Sequence, residues 1–317
     1  MVLTLEYPVH TLDGKEILPA GTILSEAVLA EVAERGKEIL SPTLPAMEFG
    51  SVRRDLLALT GRGVYRTIFG GEAEYRGLIH LLEMPRLPLP VLESLEFYKR
   101  NDPYTYHHIL LVFALSSHLA RNLLDGFEEI LQEAAAGPFH DFGKICVPME
   151  ILTKKTTLRK SERKALEHHT LAGFILLSYY LKDPGILAAV IARDHHERLD
   201  GSGYPRGILL SSRFVEIVAA CDVYDALISP RPYRVSVYDN RTALEVITAM
   251  AEGGKIGWDV VQVLVSHHRK GKPRPEECKV SVEKRGKPPE GNLYGIVLED
   301  DDPVRNKPGP GGDKLLV

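Results

Sequence analysis

Apolar positions divide the chain into two regimes. From Tyr104 onward they recur at helical spacing, and Ile109, Leu110, Leu111, Val112, Phe113 and Leu115 cover almost the whole circumference of one helix. A helix apolar all round is predicted to be buried in a bundle. Further helices are predicted at Gly126 to Asp141, Ser161 to Leu181, Pro184 to His196, Arg213 to Leu227, Asn240 to Glu252 and Trp258 to His268. Before that point the pattern is shorter and mixed. G-K-E-I-L-P-A-G-T-I-L-S reads as a small β unit leading into a helix from Glu26 to Arg35, and glycine and proline interrupt the chain often as far as Gly71. Pro85 to Pro90 reads as a linker, followed by a helix through Leu92, Leu95 and Phe97. After Arg269, the runs K-G-K-P-R-P and D-D-D-P-V-R-N-K-P-G-P-G-G-D-K read as a mobile tail with one strand at Asn292 to Leu298. The expected fold is mainly α. A helical bundle occupies residues 91–270, a smaller mixed α/β accessory or dimerising domain residues 1–90, and a partly extended tail residues 271–317.

Composition narrows the function classes. The chain has 317 residues, 44% hydrophobic and 26% charged, enough for more than one domain with a real core. Its formal charge of -4 gives no electrostatic case for a nucleic-acid polymer, so any phosphate site has to be built locally. The opening M-V-L-T-L-E-Y-P-V-H lacks a basic region followed by an apolar run, and no segment approaches the ~18 apolar residues of a membrane span. A cytoplasmic protein without membrane insertion is expected. Cys146, Cys221 and Cys278 are odd in number and far apart, which suits a reducing compartment and a role as small buried hydrophobes.

The candidate chemistry lies in polar residues placed where a bundle needs hydrophobes. The stripe through Leu187 and Ile191 continues onto His195, which inherits a core-facing direction. Neighbours on a helix diverge by roughly 100 degrees, so His196 shares a site with His195 only if that site is broad or lies at a frayed helix end. A lone pair of this kind would read as one core and one surface histidine. Its company changes that reading. His140 and Asp141 close a predicted helix, and Lys144 follows just past a glycine. His169 lies on the stripe Leu166, Gly173, Leu176 and Leu177, with Gly173 leaving space beside it. Asp222 lies among Val215, Val218, Ala219 and Ala226, where a carboxylate is costly unless a cation pairs with it. Imidazoles and carboxylates without a thiolate trio point to iron, manganese or zinc in an open catalytic site.

The segments H-D-F-G-K-I, H-H-E-R-L-D-G-S-G-Y-P and D-V-Y-D-A-L-I-S-P-R-P-Y-R resemble the signatures of the HD-GYP domain, a branch of the HD phosphohydrolase superfamily, over roughly Asp102 to Lys270. The resemblance implies a bacterial phosphodiesterase that opens cyclic di-GMP to linear pGpG and in some members continues to GMP. It implies a dinuclear centre, iron or manganese or another divalent metal, with Asp141 bridging. His108, His140 and Asp222 would serve mainly one ion, and His169, His195 and His196 the other. His107 and His168 are expected to be structural, and His267 and His268 to form a solvated helix end.

Two adjacent cations would lower the pKa of a bridging water and bind the phosphate oxygens whose charge grows in the transition state. Lys144 is expected to pair with phosphate or assist the leaving group. Gly203, Tyr204 and Pro205 would shape the pocket mouth, with Pro205 biasing Tyr204 to extended backbone. Arg231 and Arg234 are candidates for guanine or phosphate contacts. Members with a third ion use a carboxylate one helical turn before the first histidine. Tyr104 stands there in this chain, and Asp102 is six positions away on a different face, so two ions and accumulation of pGpG are expected.

Rival readings are a non-catalytic sensor of the dinucleotide and a hydrolase of a related cyclic dinucleotide or a nucleotide monoester. Candidate partners beyond cyclic di-GMP are a diguanylate cyclase, an effector protein and a second copy of the chain.

Overall fold

The computed structural model describes residues 3–126, 139–230, 236–290, 292 and 295–300. In the N-terminal region β1 (Val9–His10) and β2 (Glu16–Leu18) pair antiparallel and lead into α1 (Glu26–Lys37). There follow β3 (Thr43–Pro45), α2 (Val52–Thr60), α3 (Gly63–Phe69), α4 (Glu72–Glu83) and β4 (Arg86–Pro88), with β4 antiparallel to β3. The bundle comprises α5 (Leu89–Asn101), α6 (Pro103–Leu123), α7 (Met149–Leu152), β5 (Leu158–Arg159), α8 (Lys160–Glu167) and α9 (His169–Leu181). It continues with α10 (Leu187–Asp194), α11 (Arg213–Ile228), α12 (Asn240–Glu252) and α13 (Trp258–His268), and β6 (Val297–Leu298) runs parallel to β5. The fold is mainly α, as the periodicity predicts.

Two helices carry the interior. α6 is buried from Ile109 to Ala120 and packs against α5, α11 and α13. α9 is buried from His169 to Tyr180 and packs against α1 and α10. One continuous hydrophobic cluster runs from Leu5 to Cys278, so residues 1–90 share a core with the bundle. At the crossing of α1 and α9 stands Gly36, where an added Cβ would overlap the Tyr179 carbonyl oxygen. α2 is fastened by Asp55, which accepts from Lys99 Nζ at 2.5 Å and Tyr106 Oη at 2.9 Å. Burial pushes the Asp55 carboxyl upward, but hydrogen bonds from Lys99, Ser51 and Tyr106 outweigh it and hold the group well below the usual carboxylate range.

Several expectations are corrected. Pro85 to Pro90 is ordered as β4 and the first turn of α5, because Pro90 in that turn has no amide hydrogen to leave unpaired. The predicted helix from Ser161 to Leu181 breaks at His168 into α8 and α9. The one predicted from Pro184 to His196 is confined to Leu187–Asp194, which leaves His195 and His196 in the turn beyond. For the helix predicted at Gly126 to Asp141, residues 127–138 lie outside the described residues, and His140 and Asp141 sit in a turn before a 3₁₀ segment, Phe142–Cys146.

His267 and His268 are not a solvated helix end. His267 is buried, with its ring centroid 4.3 Å from that of His118, and His268 Nε2 donates at 2.9 Å to Tyr224 Oη, whose own hydrogen goes to Asn240 Oδ1. The cause lies beyond Arg269, where the chain folds back: Lys272 Nζ donates to Ile68 O at 2.7 Å, and Cys278 is buried. The described tail is therefore anchored to the body at Lys272 and Cys278. Residues 301–317 lie outside the described residues.

Gly36→Ala tests the crossing of α1 and α9. Overpacking against backbone is expected to cost about 1–3 kcal/mol, more than the roughly 1 kcal/mol of helix propensity that alanine gains. A lower urea midpoint at unchanged m-value is the expected result, and an unchanged midpoint would contradict this packing.

Candidate metal centre

Five separate segments bring the polar residues together. His108 comes from the second turn of α6, His140 and Asp141 from the turn before the 3₁₀ segment, and His169 from the start of α9. His195 and His196 follow the end of α10, and Asp222 comes from the middle of α11. Gly143 makes one of these approaches feasible. A Cβ on it would overlap the His169 carbonyl oxygen and the Gly173 backbone nitrogen, so the space that Gly173 leaves is filled by the Gly143 backbone. The frayed end of α10 lets two sequential histidines share one site, with ring centroids 4.1 Å apart.

Among the described residues, ligand-capable atoms fall into three groups, each within 4.8 Å: His108, His140 and Asp222; His169, His195 and His196; and His140, Asp141 and His195. Asp141 stands between the first two. Its Oδ1 lies 3.5 Å from His169 Nε2, while Oδ2 lies 3.6 Å from His108 Nε2 and 3.5 Å from His140 Nε2.

Whether these residues fit metal ions is decided by their outward hydrogen bonds. His169 Nδ1 donates to Leu166 O at 2.6 Å, and His195 Nδ1 donates to Ala192 O at 3.0 Å. Carbonyl oxygens only accept, so each ring carries its hydrogen on Nδ1 and presents an Nε2 lone pair inward. Those two Nε2 atoms are 3.2 Å apart. His108 Nδ1 likewise donates to Asp225 Oδ2 at 2.5 Å, which leaves Nε2 facing Asp222 Oδ1 at 2.9 Å and His140 Nε2 at 3.4 Å. Such oppositions need a proton or a cation between them. Burial disfavours the proton, since it pushes His140 and His169 down to about 3 and lowers His195 and His196 as well. Neutral imidazoles are the state a metal ion binds.

The carboxylates are held ionised. Burial pushes Asp141 upward, but the Lys144 ammonium, with Nζ 2.5 Å from Oδ2, opposes it, and the group is kept well below the ordinary range. Asp222 is likewise held well below the ordinary range although burial pushes it up. Neutral nitrogens and anionic oxygens around a buried space form a donor set suited to divalent iron, manganese or zinc.

The glycine-rich segment after His196 is a built wall. Buried Glu197 accepts from Arg206 N at 2.7 Å and Ile208 N at 3.2 Å, which closes the turn on itself. Gly203 passes so close to His196 O and Glu197 Cα that no Cβ fits. The following Tyr204–Pro205 unit stacks the Tyr204 ring on His196, with centroids 4.5 Å apart and planes at 16°. The cluster opens into a cavity of about 200 Å³ lined also by Lys144, Lys154, Arg163, Arg198, Tyr204 and, from the tail, Ile296. Arg231 and Arg234 lie outside the described residues. Asp102, buried, caps α6 by accepting from Thr105 N at 3.3 Å and Thr105 Oγ1 at 2.5 Å, and it joins none of the three groups.

The HD domain family profile matches residues 92–260. The chain belongs to the HD domain family. Its HD domain resembles that of a cyclic di-GMP phosphodiesterase of Pseudomonas aeruginosa, 37% identical over 163 residues that make up 51% of this chain and 38% of the relative. A cyclic di-GMP phosphodiesterase of Thermotoga maritima is 40% identical over 152 residues, 46% of this chain and 40% of that one. A 3'3'-cGAMP-specific phosphodiesterase of Vibrio cholerae is 34% identical over 172 residues, 52% and 38% of the two chains. The matched part thus spans about two-fifths of the length of these relatives.

Asp225 is a residue of the HD domain that the sequence reading passed over. It stands three positions after Asp222 in D-V-Y-D, hence on a neighbouring face of the same helix, and that spacing was the available signal. Glu197 likewise stands in the sequence only as a member of the segment H-H-E-R-L-D-G-S-G-Y-P. His107 is exposed, and His168 Nε2 meets Pro8 O at 3.3 Å, away from the cluster.

Adding Mn²⁺ or Fe²⁺ is expected to raise the thermal midpoint of metal-free protein. The stabilisation should be about 2.7 kcal/mol at a hundredfold excess over Kd. Equal midpoints with and without these ions, checked by calorimetry, would contradict the assignment of this cluster to metal.

Proposed function

We propose that the chain is a metal-dependent HD-GYP phosphodiesterase that hydrolyses cyclic di-GMP to linear pGpG. The observation that carries the reading is Asp141, one carboxylate oxygen turned to each of two groups of imidazoles, beside a cleft lined by Lys144, Lys154, Arg163 and Arg198. The names of the relatives support the substrate class. In this reading His108, His140 and Asp222 would hold one ion and His169, His195 and His196 the other, with Asp141 shared between them. Iron or manganese is the metal proposed.

Two such ions, when bound, supply an activated water and positive charge for the phosphate oxygens. The chain's own residues do the rest. Lys144, Lys154, Arg163 and Arg198 line the cleft and offer local donors for phosphate although the whole chain is acidic. Lys144 brings an ammonium beside Asp141, where it neutralises phosphate or protonates the departing ribose oxygen. Tyr204, fixed by its stack on His196 and the close turn at Gly203, offers an aromatic platform at the mouth, and Pro205 sets its backbone. Arg231 and Arg234 are assigned to guanine or phosphate contacts by the resemblance alone.

The start of α6 supports two ions rather than three. Tyr104 occupies the position one turn before His108, and the Asp102 carboxylate is engaged by Thr105. Without a third cation for the terminal phosphate of pGpG, that product accumulates. A mixed guanine-adenine cyclic dinucleotide is the second reading, favoured by the resemblance to the Vibrio cholerae enzyme. Among the described residues no helix is long and apolar enough to cross a membrane, and a cytoplasmic location is proposed. Residues 1–90 are proposed as the accessory unit through which a cyclase, an effector or a second copy acts.

Incubating manganese- or iron-loaded protein with cyclic di-GMP and, separately, with 3'3'-cGAMP, then resolving products by chromatography, tests the reading. Cyclic di-GMP consumption with pGpG as main product is expected. Turnover of 3'3'-cGAMP alone would move the assignment to the second reading, and turnover of neither would overturn both. Lys144→Ala should lower kcat on the order of 100-fold with metal content unchanged, whereas Asp141→Ala should lose metal and turnover together.

A further inference from the structure

Asp225 connects the metal centre to a part of the chain that lies outside the HD domain. Its Oδ2 accepts from His108 Nδ1 at 2.5 Å, and its Oδ1 accepts from Ser229 Oγ at 2.7 Å and from Tyr65 Oη at 2.5 Å. Ser229 follows the end of the same helix. Tyr65 instead comes from α3, 160 positions earlier in sequence and outside residues 92–260. It is 6% exposed, and its ring lies nearly parallel to that of Phe69, with centroids 6.3 Å apart. Burial, followed by the charge of Asp225, pushes the Tyr65 phenol well above its ordinary value, so at neutral pH it is a protonated donor.

With one donor on Oδ2 and two on Oδ1, the Asp225 carboxylate has its plane fixed, and the imidazole beyond Oδ2 takes its orientation from that plane. His108 Nε2 is thereby aimed at Asp222 and Asp141. We propose that Tyr65 is a positioning residue for His108, so that docking of the N-terminal region sets how well one of the two metal positions binds its ion. The inference rests on the metal reading of the cluster. α3 is itself held from two sides: Phe69 packs edge-on against His118, and Lys272 from the tail donates to Ile68 O. A movement of α3 would therefore withdraw the Tyr65 donor from Asp225 and leave Oδ1 to Ser229 alone, without any change within the HD domain.

The test is equilibrium Mn²⁺ binding to full-length wild type and Tyr65→Phe, followed by calorimetry or electron paramagnetic resonance, together with the thermal midpoint of each metal-free protein. Phenylalanine keeps the ring and removes only the donor. The expected result is a loss of affinity on the order of tenfold, confined to one of two sites, with the metal-free midpoint unchanged. Wild-type affinity at both sites would overturn the inference. So would equal weakening of both sites accompanied by a fall in the metal-free midpoint, since that marks a packing role. Absence of Mn²⁺ binding by wild type would remove the metal reading and this inference with it, an outcome distinct from the previous two. Should Tyr65→Phe not fold, Tyr65→Gln retains a donor without the ring: affinity within about threefold of wild type supports the hydrogen bond, and a tenfold loss or more contradicts it.

Discussion

Opposed lone pairs in a water-poor interior are the constraint on which this structure turns. Three imidazoles are tied through Nδ1 to acceptors that cannot donate back, namely Asp225, Leu166 O and a carbonyl at the end of α10, so their Nε2 atoms face inward without hydrogen. Facing each other and two ionised carboxylates, they make a space that only positive charge can fill without cost. Lys144 supplies one such charge, at the edge of the cluster. Divalent ions would satisfy the remaining nitrogens and oxygens, and the whole arrangement of five segments has a single physical purpose in that light.

The fold can be understood as the means of holding those groups still. α6 and α9 are buried along most of their length, and the site occupies their polar interruptions. Backbone approaches at Gly143 and Gly203 bring chain segments closer than side chains would permit. Buried Glu197 then locks the turn that carries Tyr204, and the N-terminal region reaches the same centre through Tyr65. Binding groups are thus set by rigid elements, while the described tail, through Ile296, contributes a wall of the cavity.

Much of this was legible in the sequence, for a definite reason. His169, His195 and Asp222 lie on apolar helical stripes, and a polar residue on such a stripe is conspicuous. The predicted difficulty of placing His195 and His196 together is resolved at the end of α10, where helical geometry no longer separates them. Other features depend on contacts that no local pattern encodes. Asp225 reads as one more polar residue until His108 is seen against it, and Tyr65 lies 160 positions from its partner. His267 reads as an exposed terminal residue until the fold places His118 and the returning tail beside it. Local periodicity fixes which face of a helix turns inward; it carries no information about which distant residue meets that face.

The central claim is that Asp141 bridges two ions held by two separate groups of ligands. Anomalous diffraction from crystals of the manganese- or iron-loaded protein, collected on both sides of the metal absorption edge, tests it most directly. The account predicts two peaks per chain, one among His108, His140 and Asp222 and one among His169, His195 and His196, with an Asp141 oxygen on each. A single peak, a third peak of full occupancy near Asp102, or peaks away from these residues would contradict it.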